Sequence, residues 1–347
     1  MIAVGHPETD NRTPFQFAPV FVADEEGRPI VATIVKATIA IDARGASRLA
    51  EKQEPIDFAG KHHGEPGQSS MRREPEIAFC KPGTDCVLQG HAVAAKPATQ
   101  VDVGFRVGEL TKVARVTGDR RWEPGLLGAK MSAPLPFERM PLVWERAFGG
   151  WDRTPEKEEH HQGEPQNPVG VGFVAKKGRA LPGAPLPNIE DPRDLLTAQG
   201  SRVAPVGFGF TGHHWQPRAK YAGTYDETWE KERAPRLPAD FDRRFFLAAA
   251  PGLSSATHLR GDERIVVVGA TKEGRWEFSL PGIQPPRCAV ALRHGAGQDL
   301  TTALDTVIVD PDVRQVVLLW RAFTTLRQGP HDVRAFTITA ERVPPKS

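Results

Sequence analysis

The amino-terminal part of the chain shows the alternation of apolar and polar residues that is typical of β-strands. Residues 30–41 are rich in β-branched side chains, and a turn sequence at 42–45 follows them. Residues 85–93, 101–107 and 113–116 alternate with a period of two. The pattern therefore predicts one long strand and, after it, a β-meander.

The carboxy-terminal part repeats this alternation in two hairpins. Residues 264–269 and 276–280 flank a turn that contains glycine. Residues 304–309 and 315–323 flank an Asp-Pro-Asp turn, and a last alternating segment covers 335–339. We expect these segments to add antiparallel strands to the scaffold.

Between the two ends, the periodicity fades. Residues 49–82 are interpreted as a loop that docks onto the sheet, and residues 118–253 show no sustained period of either kind. Long irregular regions inside compact proteins usually pack on a scaffold and serve binding. Within the centre, Asp191 to Gln199 predicts a helix, because Asp191 suits the cap position and Pro192 the first turn.

The stretch from residue 141 to residue 173 combines aromatic, charged and glycine residues densely. Its first part, residues 141–148, predicts a short strand that Gly149 and Gly150 end, because glycine turns freely at positive φ. Gly170 and Gly172 come later in the same stretch. We expect these two spaced glycines to let the backbone pass close to another segment.

Together these patterns predict a mainly β protein. We expect an antiparallel β-rich scaffold, sandwich-like or barrel-like, with a long irregular loop-rich centre and few short helices. The sequence shows no internal repeat and no interdomain linker, which indicates a single domain over residues 14–343. Its strands are expected mainly in 30–117 and 264–340, and its partner-binding centre in 118–253.

Charge and composition narrow the classes of function. A net charge of +2 over 347 residues is too small to indicate a surface for nucleic acid or anionic membranes. No apolar run approaches the roughly 18 residues that span a bilayer, and the amino terminus lacks a secretory signal pattern. The three cysteines include no CxxC pair and fit a reducing compartment. We expect a cytoplasmic protein that neither binds nucleic acid nor inserts into membranes.

No assembled catalytic motif is present in the sequence. The histidine pairs at 62–63, 160–161 and 213–214 lack HxH or HExxH spacing, so surface or hydrogen-bonded histidines are favoured over a catalytic metal. We predict no catalytic residue, no cofactor and no metal, and we predict that the protein is not an enzyme. A glycosidase-like pair of acid and base is conceivable among four acidic residues, namely Asp240, Asp242, Asp262 and Glu263. For these residues, ion pairing with arginines is favoured instead.

Tryptophan and arginine side chains lie beside turn residues in the irregular centre. This pairing is enriched at the hot spots of protein interfaces, although the tryptophans also suit the core, and a sugar platform is a competing use. For Trp215 and Arg218, the alternative is internal packing and an ion pair with a carboxylate such as Asp226. The candidate partner-binding residues are Trp144, Arg146, Trp151, Trp215, Arg218, Tyr225, Trp229 and Phe241.

Short motifs along residues 30–285 also resemble one bacterial family in their order and spacing. They occupy residues 35–38, 81–92, 118–122, 145–150, 167–173, 186–190, 215–218, 222–226, 229, 237–242 and 261–263. Through them the chain resembles the type VI secretion effector adaptors, or chaperones, of Gram-negative bacteria, a family long labelled a domain of unknown function. It departs from the family pattern at Gly170-Val171-Gly172-Phe173, where Gly-Arg-Gly-Phe is more usual.

The resemblance implies a non-enzymatic cytoplasmic protein that binds the amino-terminal region of a type VI effector. It also implies that the protein helps load this effector onto the VgrG spike or its PAAR tip. The family lends no catalytic residues. The alternative function is a carbohydrate-binding or glycan-hydrolysing β-protein that acts on cell-envelope glycans.

Overall fold

Short strands and long irregular segments alternate along the chain in the computed structural model, which describes residues 7–126 and 128–345. The α-helix within these residues is α1, Glu227–Glu232, and single turns of 3-10 helix occur at Trp144–Arg146, Glu158–His160, Arg218–Ala222, Arg243–Phe246 and Pro330–Asp332. None of these helices is long and apolar enough to cross a membrane. The strands of the described residues are β1 Glu8–Asn11, β2 Gln16–Ala23, β3 Pro29–Ile41, β4 Ser47–Leu49, β5 Lys61–His62, β6 Met71–Arg73, β7 Asp85–Leu88, β8 His91–Ala98, β9 Gln100–Val107, β10 Leu110–Thr117, β11 Trp122–Gly125, β12 Gly128–Met131, β13 Phe137–Pro141, β14 Phe148–Gly149, β15 Trp151–Asp152, β16 Gln162–Gly163, β17 Val171–Gly172, β18 Ile189–Glu190, β19 Arg264–Val268, β20 Arg275–Ser279, β21 Arg287–Leu292, β22 Gln298–Thr301, β23 Ala303–Asp310, β24 Gln315–Thr325 and β25 Val333–Thr339.

A six-stranded sheet forms the centre of the fold. Its strand order is β2-β3-β24-β23-β7, and β4 adds to the far end of β3. The strands β3 and β24 pair antiparallel along their whole lengths, from Ala40 opposite Gln315 to Ile30 opposite Thr325. Only β7 runs parallel to its neighbour in this sheet. The two ends of the chain thus meet in one sheet, as the alternating patterns predict.

Both faces of this sheet are covered. Because side chains alternate along a strand, Val31 and Val35 of β3 belong to the main core, together with Phe336 of β25. Ile30 lies on the opposite face and packs with Phe79 of the irregular loop before β7. The loop before β7 thus covers part of one face, and strand β25 covers part of the other.

Two further large sheets and five two-stranded sheets complete the scaffold within the described residues. The five-stranded sheet has the order β18-β10-β9-β19-β20, and the four-stranded sheet has the order β1-β25-β21-β22. None of the three large sheets closes on itself into a barrel, and antiparallel pairing dominates all of them. The predicted mainly β scaffold with an irregular centre and few short helices is confirmed, and its open sheets favour the sandwich over the barrel. The single-domain interpretation of residues 14–343 stays a prediction.

The predicted helix over Asp191–Gln199 is wrong. The carboxylate of Asp191 accepts hydrogen bonds from the backbone and the guanidinium of Arg193, two residues away, at 2.9 and 3.0 Å. The backbone N–H of Leu196 donates instead to the side chain of Glu190 at 2.9 Å. These local bonds replace the helical ladder, whereas α1 forms further along the chain, where Asp226 accepts from the Trp229 N–H at 2.8 Å.

The predicted strand over residues 141–148 is also wrong. Strand β13 ends at Pro141, a 3-10 turn follows, and Phe148 starts the two-residue strand β14. The side-chain amide of Asn167 donates to the Trp144 and Phe148 carbonyls at 2.8 and 3.0 Å, and these bonds hold the irregular path. The close approach expected at Gly170 and Gly172 is confirmed, because a Cβ atom on Gly170 would lie 2.6 Å from the Ala147 carbonyl oxygen and one on Gly172 would lie 2.8 Å from the Pro187 ring.

The alternation of apolar and polar residues does not predict several of the strands correctly. The segment at residues 85–93 is two strands, β7 and β8, because Gly90 turns the chain at a φ of +105°. The edge strand β2 was not predicted, since Pro19 interrupts its apolar run. Strand β21 was not predicted either, although its alternating burial equals that of the predicted strands.

We expect Trp144→Ala to lower the free energy of unfolding by about 3–5 kcal/mol, the usual cost of truncating a buried aromatic side chain. Trp144 is 2% exposed and meets Trp215 edge to face at a ring-centroid distance of 5.9 Å. Urea denaturation followed by circular dichroism measures the change. The matched control is Trp151→Ala, because Trp151 is 58% exposed and its loss should leave the midpoint almost unchanged. Equal midpoints for the two variants would contradict the placement of Trp144 in the core.

Candidate functional site

An apolar groove of about 730 Å³ opens at the end of β2, on the irregular side of the six-stranded sheet. Its walls are the turn after β2, the loop before residue 80 and the segment from residue 213 to residue 246. Tyr225 and Ile77 remain 54% and 45% exposed at this groove. The apolar side chains that line it include Val22, Ile77, Phe79, Tyr225, Leu237, Phe241, Phe245 and Phe246.

Aromatic rings form the floor of the groove. Phe246 meets Phe79 edge to face at 5.2 Å and Phe241 at 5.5 Å, between ring centroids. At the rim, Tyr225 meets Trp229 of α1 at 4.7 Å. Edge-to-face contacts of this kind add to the gain from burial alone, so the floor is a fixed surface rather than a loose cluster.

Short polar caps hold the wall between residues 223 and 246 in place. The carboxylate of Asp240 accepts hydrogen bonds from the backbone and the hydroxyl of Thr224 at 2.9 and 2.8 Å. The Trp229 indole N–H donates to the Arg236 carbonyl at 2.9 Å. Gly223 has a φ of +83°, and a Cβ there would lie 2.7 Å from Pro238, so only glycine fits.

Ion pairs join this wall to the turn between β2 and β3. Arg243 donates to Glu25 at 2.5 Å, and Arg233 donates to Glu26 at 3.0 Å. The Leu237 N–H also donates to the Glu25 carbonyl at 3.2 Å. The arginines of the wall are therefore neutralised by carboxylates of this chain.

Arg218 lies at the base of the groove and is buried. Its guanidinium donates to the Phe245 carbonyl at 2.7 Å, to the Thr211 carbonyl at 2.9 Å and to the carboxylate of Glu74. Lys81 lies 3.6 Å from the other carboxylate oxygen of Glu74. Arg218 thus connects the groove with a set of charges beneath it.

We call this set the charge layer. It lies between the six-stranded sheet and the irregular chain, and it balances five cations against five anions. Lys36 comes from β3, Arg321 from β24 and Asp85 from β7, so three strands point charges to the same side. The ten residues are Lys36, Arg73, Lys81, Arg218, Arg321, Glu54, Glu74, Glu76, Asp85 and Asp305.

Asp85 has the largest number of partners in the charge layer. Its carboxylate accepts hydrogen bonds from the Lys81 ammonium at 2.7 Å, the Ala248 N–H at 2.9 Å and the Ser254 hydroxyl at 2.7 Å. Burial raises the pKa of Asp85, but Lys81 and these donors outweigh burial and hold that pKa below its ordinary value. Burial lowers the pKa of Lys81, but Asp85 and Glu74 outweigh it and the pKa lies above its ordinary value. Both groups are charged at neutral pH.

The residues that could perform metal or thiol chemistry are dispersed or inert. Within residues 7–126 and 128–345, no three histidine, cysteine or acidic side chains are placed to hold one metal ion. All three cysteines are buried, and burial raises the pKa of Cys80 and of Cys288 to about 11. Asp242 is paired with Arg244 at 2.9 Å.

A family described as "Uncharacterized protein conserved in bacteria (DUF2169)" has a model that matches residues 26–321. The chain belongs to this family. The matched span contains the charge layer and all of the groove lining except Val22, Ala23 and Asp24. No curated protein and no solved structure matches the chain.

Three of the eight candidate residues line the groove of this DUF2169 chain, namely Arg218, Tyr225 and Phe241. Trp229 supports Tyr225 at the rim. Sequence reasoning missed Phe79 and Phe246, although Phe79 belongs to the predicted docking loop at residues 49–82 and Phe246 to the predicted partner-binding centre at residues 118–253. It missed Val22 because β2 itself was not predicted.

The other four candidates lie elsewhere in the DUF2169 chain. Trp144 and Trp215 are buried against each other, and the Trp215 indole N–H donates to His214 at 3.0 Å. Arg146 donates to Asp119 at 2.9 Å and lines a separate depression. Trp151 is exposed at a third place. The eight residues therefore do not form one surface.

The internal alternative for Trp215 and Arg218 has direct geometric support. Trp215 is 2% exposed and Arg218 is 6% exposed, and the carboxylate that pairs with Arg218 is that of Glu74 rather than Asp226. Replacing either side chain with alanine removes core packing or leaves Glu74 without its partner. We therefore expect Trp215→Ala and Arg218→Ala to lower the free energy of unfolding, and to weaken partner binding only as a result.

We expect Asp85→Asn to lower the free energy of unfolding by about 3 kcal/mol at pH 7, because it removes the nearer of the two carboxylates that pair with the buried Lys81 and leaves Glu74 at 3.6 Å. The pKa of Asp85 is lowered by folding, so its contribution is present above the unfolded pKa of about 3.9 and is lost as the pH falls through the folded pKa. The difference between wild type and variant should accordingly shrink as the pH drops below about 4. Urea titrations over a pH series measure this difference.

The control for this prediction is Glu227→Gln, which removes an exposed ion pair with Lys231 at 3.2 Å. Exposed pairs of this kind often contribute nothing measurable, so the denaturation midpoint should not move. If Asp85→Asn behaves as this control does at pH 7, the charge layer does not constrain the fold.

Proposed function

We propose that this chain is a non-enzymatic adaptor that holds the amino-terminal region of a type VI secretion effector in the apolar groove. The chain then acts in the cytoplasm and helps load the effector onto a VgrG or PAAR spike protein. One observation carries the proposal: the groove exposes aromatic and aliphatic side chains, while the arginines beside it are already neutralised by Glu25, Glu26 and Glu74. Such a groove suits an apolar protein segment better than an ionic ligand.

The exposure of the rim supports this use. Tyr225 and Ile77 stand over an ordered aromatic floor, and a partner that covers them gains apolar burial without reorganising the floor. Hot spots favour aromatic anchors in such settings. Binding of this kind stabilises the bound segment by mass action, and it requires no chemistry.

A second candidate function rests on Trp151. One face of its indole ring lies on Gly163, so close that a Cβ on Gly163 would lie 2.7 Å from the ring, and the side chain is 58% exposed. It borders a depression of about 410 Å³ that Arg153 and Arg179 also line. A flat indole beside donors is an arrangement that suits sugars, which favours the glycan-binding alternative at this place alone.

We expect Tyr225→Ala to weaken binding of the amino-terminal region of the effector encoded beside this chain by about 2 kcal/mol, which is about thirtyfold in Kd. The reason is the loss of an exposed aromatic anchor at the rim of the groove. Co-expression followed by affinity purification tests whether the complex forms, and isothermal titration calorimetry gives Kd.

The matched control is Trp151→Ala, which removes an aromatic side chain of similar exposure outside the groove. It should leave Kd for the effector unchanged. If Trp151→Ala abolishes binding to soluble cell-envelope glycan fragments and no effector or spike protein binds the wild type at low salt, the glycan alternative replaces the adaptor proposal.

A further inference from the structure

The outer edge of β2 carries unpaired backbone groups. The Asp24 N–H donates to the Arg28 carbonyl at 3.0 Å, and the register of β2 on β3 continues from this pair. Hydrogen-bonded pairs alternate along an antiparallel ladder, so the even-numbered residues of β2 bond to β3 and the odd-numbered ones face outward. The outward-facing residues are Phe17, Pro19, Phe21 and Ala23.

The pairing of β3 with its other neighbour agrees with this assignment. The Leu326 N–H donates to the Pro29 carbonyl at 2.8 Å, in the register that joins β24 to β3. Pro29 and the other odd-numbered residues of β3 therefore bond to β24, which leaves the even-numbered ones for β2. In the described part of the chain, β2 pairs with β3 alone, and no hydrogen bond links its outward groups to another segment.

The opposite edge of the same sheet is closed. At β7 the Cys86 N–H donates to the Leu253 carbonyl at 2.8 Å, and the Leu88 N–H donates to the Phe208 carbonyl at 3.2 Å. The irregular centre thus satisfies one edge of the sheet but not the other. Unpaired edges are templates for pairing with another chain, and proteins usually protect them with charges, prolines or bulges.

Strand β2 has little of this protection. Its eight residues, Gln-Phe-Ala-Pro-Val-Phe-Val-Ala, contain no charge, and Pro19 alone removes a donor from the outward row. The last residues of β2, Val22 and Ala23, line the apolar groove. The free edge and the groove are therefore one continuous surface.

We infer that β2 is the acceptor edge for the client: an extended segment of the client pairs with β2 and becomes the next strand of the six-stranded sheet. This inference rests on the adaptor function proposed above and specifies how the client is held. Main-chain hydrogen bonds supply affinity in such strand addition, and side-chain pockets supply selectivity. Phe17, Phe21 and Ala23 offer three N–H donors to the added strand, and Pro19 offers its carbonyl.

The charges around the edge define the chemistry of the added strand. On one face of β2, Val20 and Val22 pack toward Phe79, and on the other, Phe17 and Phe21 pack toward Phe336. The arginines near the groove are neutralised by carboxylates of this chain. The added segment is consequently apolar at alternate positions and carries no charge toward the groove.

Hydrogen exchange of the full chain, followed by NMR, tests this inference. The probes are synthetic peptides that tile the amino-terminal region of the effector encoded beside this chain. With a bound peptide, the amides of Phe17, Phe21 and Ala23 should exchange at least about tenfold more slowly, as newly bonded amides do. The amides of Val20 and Val22 bond to β3 in the free protein and should change little.

The variant Ala23→Pro provides a second readout. It deletes one outward N–H without touching a bond between β2 and β3, and the peptide Kd should rise about fivefold to tenfold. Ala23→Val keeps the N–H and has a side-chain volume similar to that of proline, so its Kd should lie about fivefold below that of Ala23→Pro, and this difference measures the lost hydrogen bond. Thermal melts of both variants verify that the sheet is intact.

The outcomes separate this inference from the function on which it rests. If peptides bind but the three outward amides exchange as before, or if both Ala23 variants bind equally well, strand addition is wrong while the adaptor function survives. If neither the peptides nor the intact effector bind, the adaptor function fails and the inference fails with it. Slower exchange confined to the outward amides, with weaker binding by Ala23→Pro alone, supports strand addition.

Discussion

The buried ion pair between Lys81 and Asp85 joins the β-scaffold to the irregular centre. Asp85 is the first residue of β7, yet it accepts hydrogen bonds from Ala248 and Ser254, more than 160 residues further along the chain. Burial of such a pair adds little net stability, because desolvation offsets the Coulomb attraction. Its consequence is geometric: if the 248–254 segment docked elsewhere, the buried carboxylate of Asp85 would keep Lys81 but lose the hydrogen bonds from Ala248 and Ser254. The rest of the charge layer extends this constraint across the sheet to Lys36 and Arg321.

The strands could be predicted where burial imposes a simple period. The hairpins β19–β20 and β23–β24 and the strand β3 are confirmed, because β-branched residues alternate there or fill both buried faces. The centre could not be predicted in detail, because long-range polar contacts shape it. Asn167 fixes the path at Trp144 and Phe148, and Glu190 captures the Leu196 N–H where a helix was expected. A local pattern of residues does not reveal such partners.

The same limit applies to the candidate site. A tryptophan in a loop has the same sequence signature whether it faces the core, as Trp144 and Trp215 do, or solvent, as Trp151 does. Arg218, Tyr225 and Phe241 meet at the groove through contacts that no local pattern reveals, among them the ion pairs that tie Arg233 and Arg243 to the turn after β2. Those pairs link residues about 200 positions apart. The residue types of the site could therefore be predicted from the sequence, whereas their grouping could not.

The arginines explain why the groove is apolar in a chain that is a quarter charged. The arginines beside the groove form ion pairs with carboxylates of this chain. Arg218 lies at the base of the groove and binds two backbone carbonyls and Glu74. The remaining surface offers aromatic edges and, along β2, backbone donors and acceptors. The two edges of one sheet thereby acquire different roles. At β7 the irregular centre supplies the missing hydrogen bonds and the charge layer locks it in place, while at β2 the same hydrogen-bonding capacity remains available beside an apolar groove.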